Sequence, residues 1–256
     1  SEKVEELRIT KGMTWQGQPA LLQLEMRPGQ AQASLTVDQP RKSSPTTANA
    51  QQRALDAMVA RMLGLCDGVD QLERQHTGHP VLGPLLRSQA GLRVPASSTP
   101  FEALVWAITG QQISVAAAIA LRRRLIEAAG VQHSSGMLCH PDAQALAALT
   151  PEQLRAAGFS VSKIATLERV CAAILEGVLP LDKWATEPLQ PEGAQTLETA
   201  LLAIKGIGPW TVHYALLRGF GWLDGSLHGD VAVRNALARL LDVPSVSQRE
   251  TEQWLG

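Results

Sequence analysis

Hydrophobic and polar residues alternate over the first forty positions, in the pattern of β-strands with one face in solvent. Leu22 and Leu24 alternate with polar neighbours, and a second alternating run covers residues 31–37. The Pro-Gly pair at 28–29, between the two runs, is typical of a turn. We therefore predict an antiparallel hairpin with one solvated face, to which residues 7–9 add a further strand.

A helical period begins after the Ser-, Thr- and Pro-rich stretch Pro40 to Asn49, which we interpret as a loop or linker. From Gln51 onward apolar residues recur at helical spacing, first at Leu55, Met58 and Val59. Capping residues, proline at helix starts and closing glycines mark further helices. These are predicted over residues 101–107, 115–129, 151–158, 162–176, 196–204, 210–220 and 231–241.

Together these patterns predict an α+β fold with a small N-terminal antiparallel β-containing domain, residues 1–75, and an all-helical domain, residues 76–256. Hydrophobic residues make up 45% of the chain, which supports a buried core and excludes a mainly disordered chain. The 23 Lys and Arg residues nearly balance the 24 Asp and Glu residues. Nucleic acid therefore cannot be bound through a bulk positive potential, and any contact with DNA must be local.

The sequence carries no membrane or metal signal. No run approaches the roughly 20 uninterrupted apolar residues that span a bilayer, and the first ten residues are charged, so we interpret the protein as soluble and intracellular. Cys66, Cys139 and Cys171 lie far apart and form no CxxC. We expect free thiols, with no bound metal and no cofactor. The run Arg122 to Arg124 is interpreted as a solvated helix face.

A short segment, Lys205-Gly206-Ile207-Gly208-Pro209, separates two of the predicted helices. The glycines suit backbone positions that turn sharply and leave room for a ligand to approach the main chain. Pro209 suits the first turn of the next helix, whose free N–H groups form an anion site with phosphate as the natural ligand. Ile207 would anchor this hairpin to the core. Taken alone, the segment is equally typical of an ordinary helix-to-helix turn.

The residues that follow the hairpin favour the functional interpretation over an ordinary turn. Residues 205–241, KGIGPWTVHYALLRGFGWLDGSLHGDVAVRNALARLL, closely resemble the helix-hairpin-helix DNA glycosylase superfamily, in which an aspartate, here Asp230, begins the helix after the hairpin helix. Residues 101–115, FEALVWAITGQQISV, resemble the family's segment that pushes a side chain into the base stack. The wedge role falls on Gln111 and Gln112, with Gln112 at the wedge position. With GLRVP before this segment and a β domain at the N-terminus, the chain most resembles the 3-methyladenine DNA glycosylase II type.

The resemblance implies a monofunctional DNA glycosylase that flips alkylated purines, such as 3-methyladenine, out of double-stranded DNA and hydrolyses their N-glycosidic bond in base excision repair. Asp230 would be the catalytic carboxylate, and Trp210 and Tyr214 would form the base pocket. Bifunctional relatives carry a lysine nucleophile at the position of Trp210, so no lyase activity is expected. The implied DNA phosphate contacts are Lys205, Gly206, Ile207, Gly208, Trp210 and Thr211.

The resemblance also implies the partner and the location. The expected partner is double-stranded DNA containing damaged bases, bound by a monomer without membrane contact, in the bacterial cytoplasm on the nucleoid. Relatives continue beyond Gly256 into at least one further helix that helps to wall the pocket. The C-terminus is therefore expected to be truncated.

Each candidate residue also has a purely structural interpretation. Asp230 suits the N-cap of the helix that follows it, a role that is compatible with catalysis. Trp210 and Tyr214 lie four apart on one helical face and suit a core position, while Gln111 and Gln112 suit a solvated helix end. Two other functions stay open: a non-catalytic helix-hairpin-helix DNA-binding module, and a glycosylase for oxidised or mismatched bases.

Overall fold

The computed structural model describes residues 1–39, 45–65 and 68–255. Its N-terminal part is an antiparallel meander, in which each strand pairs with its neighbour in sequence. The strands are β1 (Glu2–Glu5), β2 (Arg8–Trp15), β3 (Gln18–Arg27) and β4 (Gln30–Val37). The predicted hairpin is confirmed as β3 and β4, with Arg27 opposite Gln30 across the turn.

Strand β2 extends well beyond the three residues that its sequence pattern predicts. Lys11 is buried in the middle of this strand, where an alternating pattern would place an apolar residue. Gly12 approaches the helical part so closely that a Cβ would overlap the carbonyl oxygen of Leu138. Lys11 and Gly12 suit contacts with distant parts of the chain. They therefore interrupt the alternation of apolar and polar residues on which strand prediction depends.

Helix α1 (Pro45–Met62) packs on the sheet. The apolar residues at its predicted helical spacing are buried in one cluster with residues of β2 and β3: Met13, Ala20, Leu22, Leu24, Leu55, Met58 and Val59. The prediction of a loop over residues 40–49 is wrong from Pro45 onward, because the helix already begins there, and residues 40–44 lie outside the described residues. Proline is tolerated in a first helical turn, and packing of the later turns stabilises a helix whose start has weak propensity.

Beyond α1 the described chain is built from helices, and every helix predicted from the sequence is confirmed in position. The helix predicted over residues 210–220 ends as a turn of π-helix, Leu216–Phe220. Five helices of eight residues or fewer were not predicted, since so few turns show no clear period. The helices are α2 (Val69–His76), α3 (Leu82–Ser88), α4 (Pro100–Gly110), α5 (Val115–Ala129), α6 (Ala143–Ala147), α7 (Pro151–Ala156), α8 (Val161–Leu175), α9 (Leu181–Trp184), α10 (Pro191–Leu202), α11 (Pro209–Ala215), α12 (Val231–Leu240) and α13 (Gln248–Leu255).

Helix α4 lies at the centre of the helical part. Nine of its residues are buried, and it contacts α5, α8, α9, α11 and the π-helical turn. Thr99 caps its start by accepting a hydrogen bond from the Glu102 N–H at 3.1 Å. The π-helical turn approaches so closely that a Cβ on Gly219 would lie 3.0 Å from the Cα of Pro100. A helix this enclosed fixes the positions of the elements around it.

The first turn of α4 carries a buried carboxylate that joins the sheet to the helices. Glu102 Oε1 accepts hydrogen bonds from Lys11 Nζ of β2 at 2.7 Å and from Arg122 Nη2 of α5 at 2.6 Å. Its Oε2 accepts from the Ser98 hydroxyl at 2.6 Å. Burial acts to raise the pKa of this carboxyl, but Lys11 and Arg122 hold the pKa well below its usual range. Glu2 pairs with both cations from the outer side.

The interpretation of residues 122–124 as a solvated face is therefore wrong for Arg122. Its guanidinium pairs with Glu102 between the sheet and the helices, because the buried charge of that carboxylate needs a partner. Arg123 is exposed and pairs with Glu127, one helical turn further on. Arg124 is also on the outside, although its Nε donates to the Ala157 carbonyl at 2.6 Å.

The architecture confirms the predicted α+β fold class. One hydrophobic cluster lies in the sheet and α1, and a second, larger cluster runs through the helices from Phe101 onward. The exact domain division at residues 75 and 76 stays a prediction, and this point falls inside α2. Over the described ranges, no helix combines the length and the apolar character needed to cross a membrane.

We predict that His140 makes the fold sensitive to mild acid. Burial lowers the pKa of this imidazole from 6.5 to about 4. Between these values the unfolded chain binds a proton that the native state does not, so stability falls as the pH falls. The loss reaches about 3 kcal/mol at pH 4. Urea unfolding between pH 7 and pH 5 should show this slope in the wild type and a shallower one in His140→Asn.

His76→Asn is the matched control, because His76 lies on α2, a helix with no buried residues. Its unfolding should keep the wild-type dependence on pH. An unchanged slope in His140→Asn would contradict the assignment.

Candidate active site

The hairpin between α10 and α11 uses its two glycines differently. Gly206 has a φ of 102°, and a Cβ at this position would overlap the hydroxyl of Thr166 on α8. Only glycine therefore fits there. Gly208 has a φ of −112°, and a Cβ would meet nothing within 4 Å. We expected both glycines to turn sharply and to leave room at the main chain. The sharp turn is found at Gly206, whereas the room is found at Gly208, where the main chain is open.

Neighbouring helices hold the hairpin from behind. Ile207 is buried in the helical core, as the sequence predicts. Arg169 of α8 donates to the Lys205 carbonyl at 3.2 Å. Gln111, at the end of α4, donates through Nε2 to the Gly206 carbonyl at 3.1 Å and to the Thr211 hydroxyl at 2.9 Å. The hairpin is therefore braced by two helices that precede it in the sequence.

The six residues predicted to contact phosphate divide into three groups by burial. Ile207 and Thr211 are buried, so their side chains serve the interior. Lys205 and Gly206 are exposed, whereas Gly208 and Trp210 are half-buried. Helix α11 has no side-chain cap, so the first N–H groups of this helix lack the partner that Ser, Thr or Asp supplies to α4, α5, α7, α8 and α12. An anion at the hairpin could accept from them.

Asp230 uses both of its carboxylate oxygens. Oδ1 accepts from the N–H of Ala232 at 2.7 Å and more weakly from that of Val233 at 3.4 Å, which makes Asp230 the N-cap of α12. Oδ2 accepts from the indole Nε1 of Trp210 at 2.9 Å. The N-cap interpretation is confirmed, and the second oxygen explains why a carboxylate occupies a position that Ser or Asn could also cap.

Trp210 and Tyr214 form a half-buried aromatic pair beside this carboxylate. Their ring centroids are 5.3 Å apart, with the ring planes inclined by 34°. Neither residue belongs to the buried core. Burial raises the pKa of the Tyr214 phenol above its ordinary value, and the charge of Asp230 acts in the same direction, while the charge of Arg218 and the nearby Trp106 oppose the shift.

Trp106 is a residue of the site that sequence reasoning did not find. It lies on α4, inside the segment that resembles the family, but nothing in its spacing indicates that it faces the same cavity as Tyr214 on α11. Both residues line a cavity of about 820 Å³ between the sheet and the helices. Arg218 also lines this cavity on the helical side, and Ile9 and Lys11 line it on the sheet side. Asp230 and Trp210 are not part of its lining.

The structure separates the two candidate wedge residues. The side-chain amide of Gln111 is occupied by its hydrogen bonds to the hairpin. Gln112 is exposed and has a φ of 57°, a left-handed conformation that is uncommon for residues other than glycine. A strained, exposed residue at the end of a buried helix is typical of functional positions. The wedge role stays a prediction, and the geometry favours Gln112.

Metal chemistry finds no support among the described residues, where no group of three His, Cys, Asp or Glu side chains is arranged to hold an ion. Cys139 and Cys171 are buried free thiols. Cys66 lies outside the described residues. The expectation that the protein needs no cofactor stays a prediction.

The chain belongs to the HhH-GPD superfamily of base excision DNA repair proteins, whose family profile matches residues 105–255. Among known proteins it is similar to DNA-3-methyladenine glycosylase 2 of Escherichia coli (strain K12), with 35% identity over 176 residues, 68% of this chain and 59% of that protein. It is also similar to DNA-3-methyladenine glycosylase of Bacillus subtilis, with 33% identity over 142 residues, 53% of this chain and 45% of that protein. The matches thus span only about half of these relatives.

Solved structures agree on the fold. The 3-methyladenine DNA glycosylase from Archaeoglobus fulgidus superposes with a TM-score of 0.74 over 98% of this chain and 82% of that one, at 21% identity. The Schizosaccharomyces pombe 3-methyladenine DNA glycosylase in complex with abasic DNA gives a TM-score of 0.60 over 72% of this chain and 86% of that one, at 26% identity. The first of these likenesses concerns the fold alone.

The two hairpin glycines are predicted to differ in their effect on stability. Gly206→Ala should lower the free energy of unfolding by about 1–3 kcal/mol, because the left-handed backbone and the contact with Thr166 both resist a Cβ. Gly208→Ala should change it by less than about 0.5 kcal/mol. Urea unfolding of the two variants makes the comparison. Equal losses would contradict the open surroundings of Gly208.

Proposed function

We propose that this chain is a monofunctional DNA glycosylase that hydrolyses the N-glycosidic bond of alkylated purines, such as 3-methyladenine, in double-stranded DNA. The observation that carries the proposal is the Asp230 carboxylate, held by the Trp210 indole and by the start of α12, close to a braced hairpin. The relatives named above support the choice of alkylated bases.

The hairpin fits a contact with the DNA backbone. Its main chain is open at Gly208, and the N–H groups that begin α11 are uncapped. Amide donors of this kind fix the position of a phosphate without reading the base sequence. This local contact suits a protein with a net charge of −1, which cannot hold DNA by bulk attraction.

Base removal requires the nucleotide to leave the stack, because no side chain reaches the glycosidic bond inside a duplex. In this proposal Gln112 fills the vacated space. Departure of the base develops positive charge on the sugar, and a fixed carboxylate stabilises that charge. At a separation of about 4 Å and an effective dielectric near 20 the attraction is roughly 4 kcal/mol, or about a thousandfold in rate. Asp230 also orients the attacking water.

The aromatic pair suits a cationic leaving group. An alkylated purine such as 3-methyladenine carries positive charge and leaves readily, so no strong general acid is needed. Stacking and cation–π contact with Trp210 and Tyr214 contribute about 0.5–2 kcal/mol each. Trp210 stands where bifunctional relatives carry their lysine, so no Schiff base forms there and the product is an abasic site. We further propose that the protein acts as a monomer on nucleoid DNA in the bacterial cytoplasm.

Asp230→Asn is predicted to keep DNA binding and to slow base release by about a hundred- to a thousandfold, because the charge is lost while the shape and the helix cap remain. Single-turnover assays on duplexes with a defined alkylated purine measure the rate, and binding to an abasic duplex measures affinity. Asp242→Asn is the matched control. It lies just beyond α12 with a φ of 54°, which Asn also tolerates.

Wild-type rates in Asp230→Asn would overturn the catalytic role. Wild-type protein that binds DNA but releases no base would favour the non-catalytic module. Release of oxidised or mismatched bases alone would favour the third function.

Gln112→Ala is predicted to slow excision from a fully paired lesion more than from the same lesion opposite a gap. Extrusion of a paired base costs a few kcal/mol, and this cost is much smaller when the base is unpaired. The ratio of the two single-turnover rates reports the effect, with the melting temperature as a check on folding. Equal loss on both substrates at unchanged stability would argue for a general DNA contact and shift the wedge role to Ile113.

A further inference from the structure

One guanidinium in the cavity between the sheet and the helices has no partner. The other charged side chains that line this cavity form ion pairs with one another: Glu2, Lys11, Glu102, Arg122, Arg123 and Glu127. Among the described residues, Arg218 takes part in no ion pair, and its Nε is buried without a hydrogen-bond partner. The side chains of the cavity therefore leave one positive charge uncompensated.

This uncompensated charge favours an anionic ligand. A partly buried guanidinium loses part of its hydration, and an anion in the same cavity replaces the lost interaction. Phosphate matches the planar fork of N–H donors that an arginine offers. The carbonyl of Arg218 accepts a hydrogen bond from the Ser97 N–H at 2.6 Å, so the base of this side chain is held at the cavity wall.

Two aromatic side chains line the cavity together with this guanidinium. Tyr214 precedes Arg218 by four positions, about one helical turn, and Trp106 lies on α4. Both aromatic side chains are half-buried. Aromatic rings of this kind stack with heteroaromatic bases. The cavity volume of about 820 Å³ falls within the range of about 300–1,000 Å³ that small-molecule sites occupy.

We propose that this cavity is a nucleotide site, in which Arg218 binds the phosphate while Trp106 and Tyr214 stack with the base. The nucleotide is either free in solution or part of a DNA strand, since both sources carry the same base and phosphate. The proposal concerns binding alone and does not rest on base release. A protein that binds the nucleotide but releases no base would refute the proposed function and leave this site intact.

Titration of the wild-type protein with deoxyadenosine monophosphate tests the free nucleotide. Tyr214 is the one tyrosine in the sequence, so protein labelled with ¹³Cζ-tyrosine gives a single resonance that reports on the cavity. The nucleotide should move this resonance to saturation. Deoxyadenosine lacks the phosphate and should bind about ten- to a hundredfold more weakly. This comparison needs no substitution, so it does not depend on how a variant folds.

Variants of the cavity wall assign the phosphate to one side chain. Arg218→Gln should weaken binding of the nucleotide by about ten- to a hundredfold, and Arg218→Lys, which keeps the charge, should lose less. Arg123→Gln is the matched control. It removes the same charge from the same cavity, but Arg123 is already paired with Glu127, so binding should stay at the wild-type level. Trp106→Leu should weaken binding by about fivefold or more through lost stacking.

A duplex with an unpaired adenine opposite a gap tests the DNA strand, because such a base leaves the stack at little cost. If the nucleotide belongs to DNA, this duplex moves the Tyr214 resonance whereas deoxyadenosine monophosphate does not, and Arg218→Gln but not Arg123→Gln weakens binding of the duplex. The proposal is overturned if neither ligand moves the resonance, if deoxyadenosine binds as tightly as its monophosphate, or if Arg123→Gln weakens binding as much as Arg218→Gln.

Discussion

A single carboxylate at the start of a buried helix determines how the two parts of this protein meet. Glu102 is 3% exposed, and an unpaired charge at such a site would cost several kcal/mol. Lys11 must come from the sheet and Arg122 from α5 to compensate it. Few arrangements of β2, α4 and α5 satisfy this requirement. The ion pairs of Glu102 with Lys11 and Arg122 therefore favour one position of the sheet against the helices.

Helix α4, whose first turn carries Glu102, also positions the elements at its other end. At its last turn the Thr109 carbonyl accepts a hydrogen bond from the buried Lys163 of α8 at 2.7 Å. The two residues that follow the helix differ, since Gln111 binds the hairpin while Gln112 is exposed. The candidate wedge, the hairpin and the aromatic pair are thus all positioned relative to α4. A site that must locate a phosphate and a sugar together benefits from such a common frame.

Asp230 shows how stability and proposed chemistry share one group. Its carboxylate lies at the N-terminus of α12, where the helix dipole and two N–H groups favour negative charge. The hydrogen bonds that cap the helix also fix the position of the carboxylate that the proposed reaction uses. The structural and the catalytic interpretations of this residue are therefore complementary, and the indole of Trp210 connects them to the aromatic pair.

Local sequence determined the elements whose period is long enough to read: the β3–β4 hairpin, α1 from Gln51, α5 and α8. The hairpin sequence and the position of Asp230 also placed the chain in its family.

Tertiary structure alone decided that Lys11 is buried in a strand, that Arg122 leaves the surface, and that Gly206 but not Gly208 is required by the fold. It also decided that Trp106 and Tyr214 line the same cavity and that Gln111 binds the hairpin. These contacts join residues from 20 to 100 positions apart, such as Arg122 with Glu102 and Gln111 with Thr211. Periodicity reports only which face of an element is buried, so it contains no information about the partner that the buried face will meet.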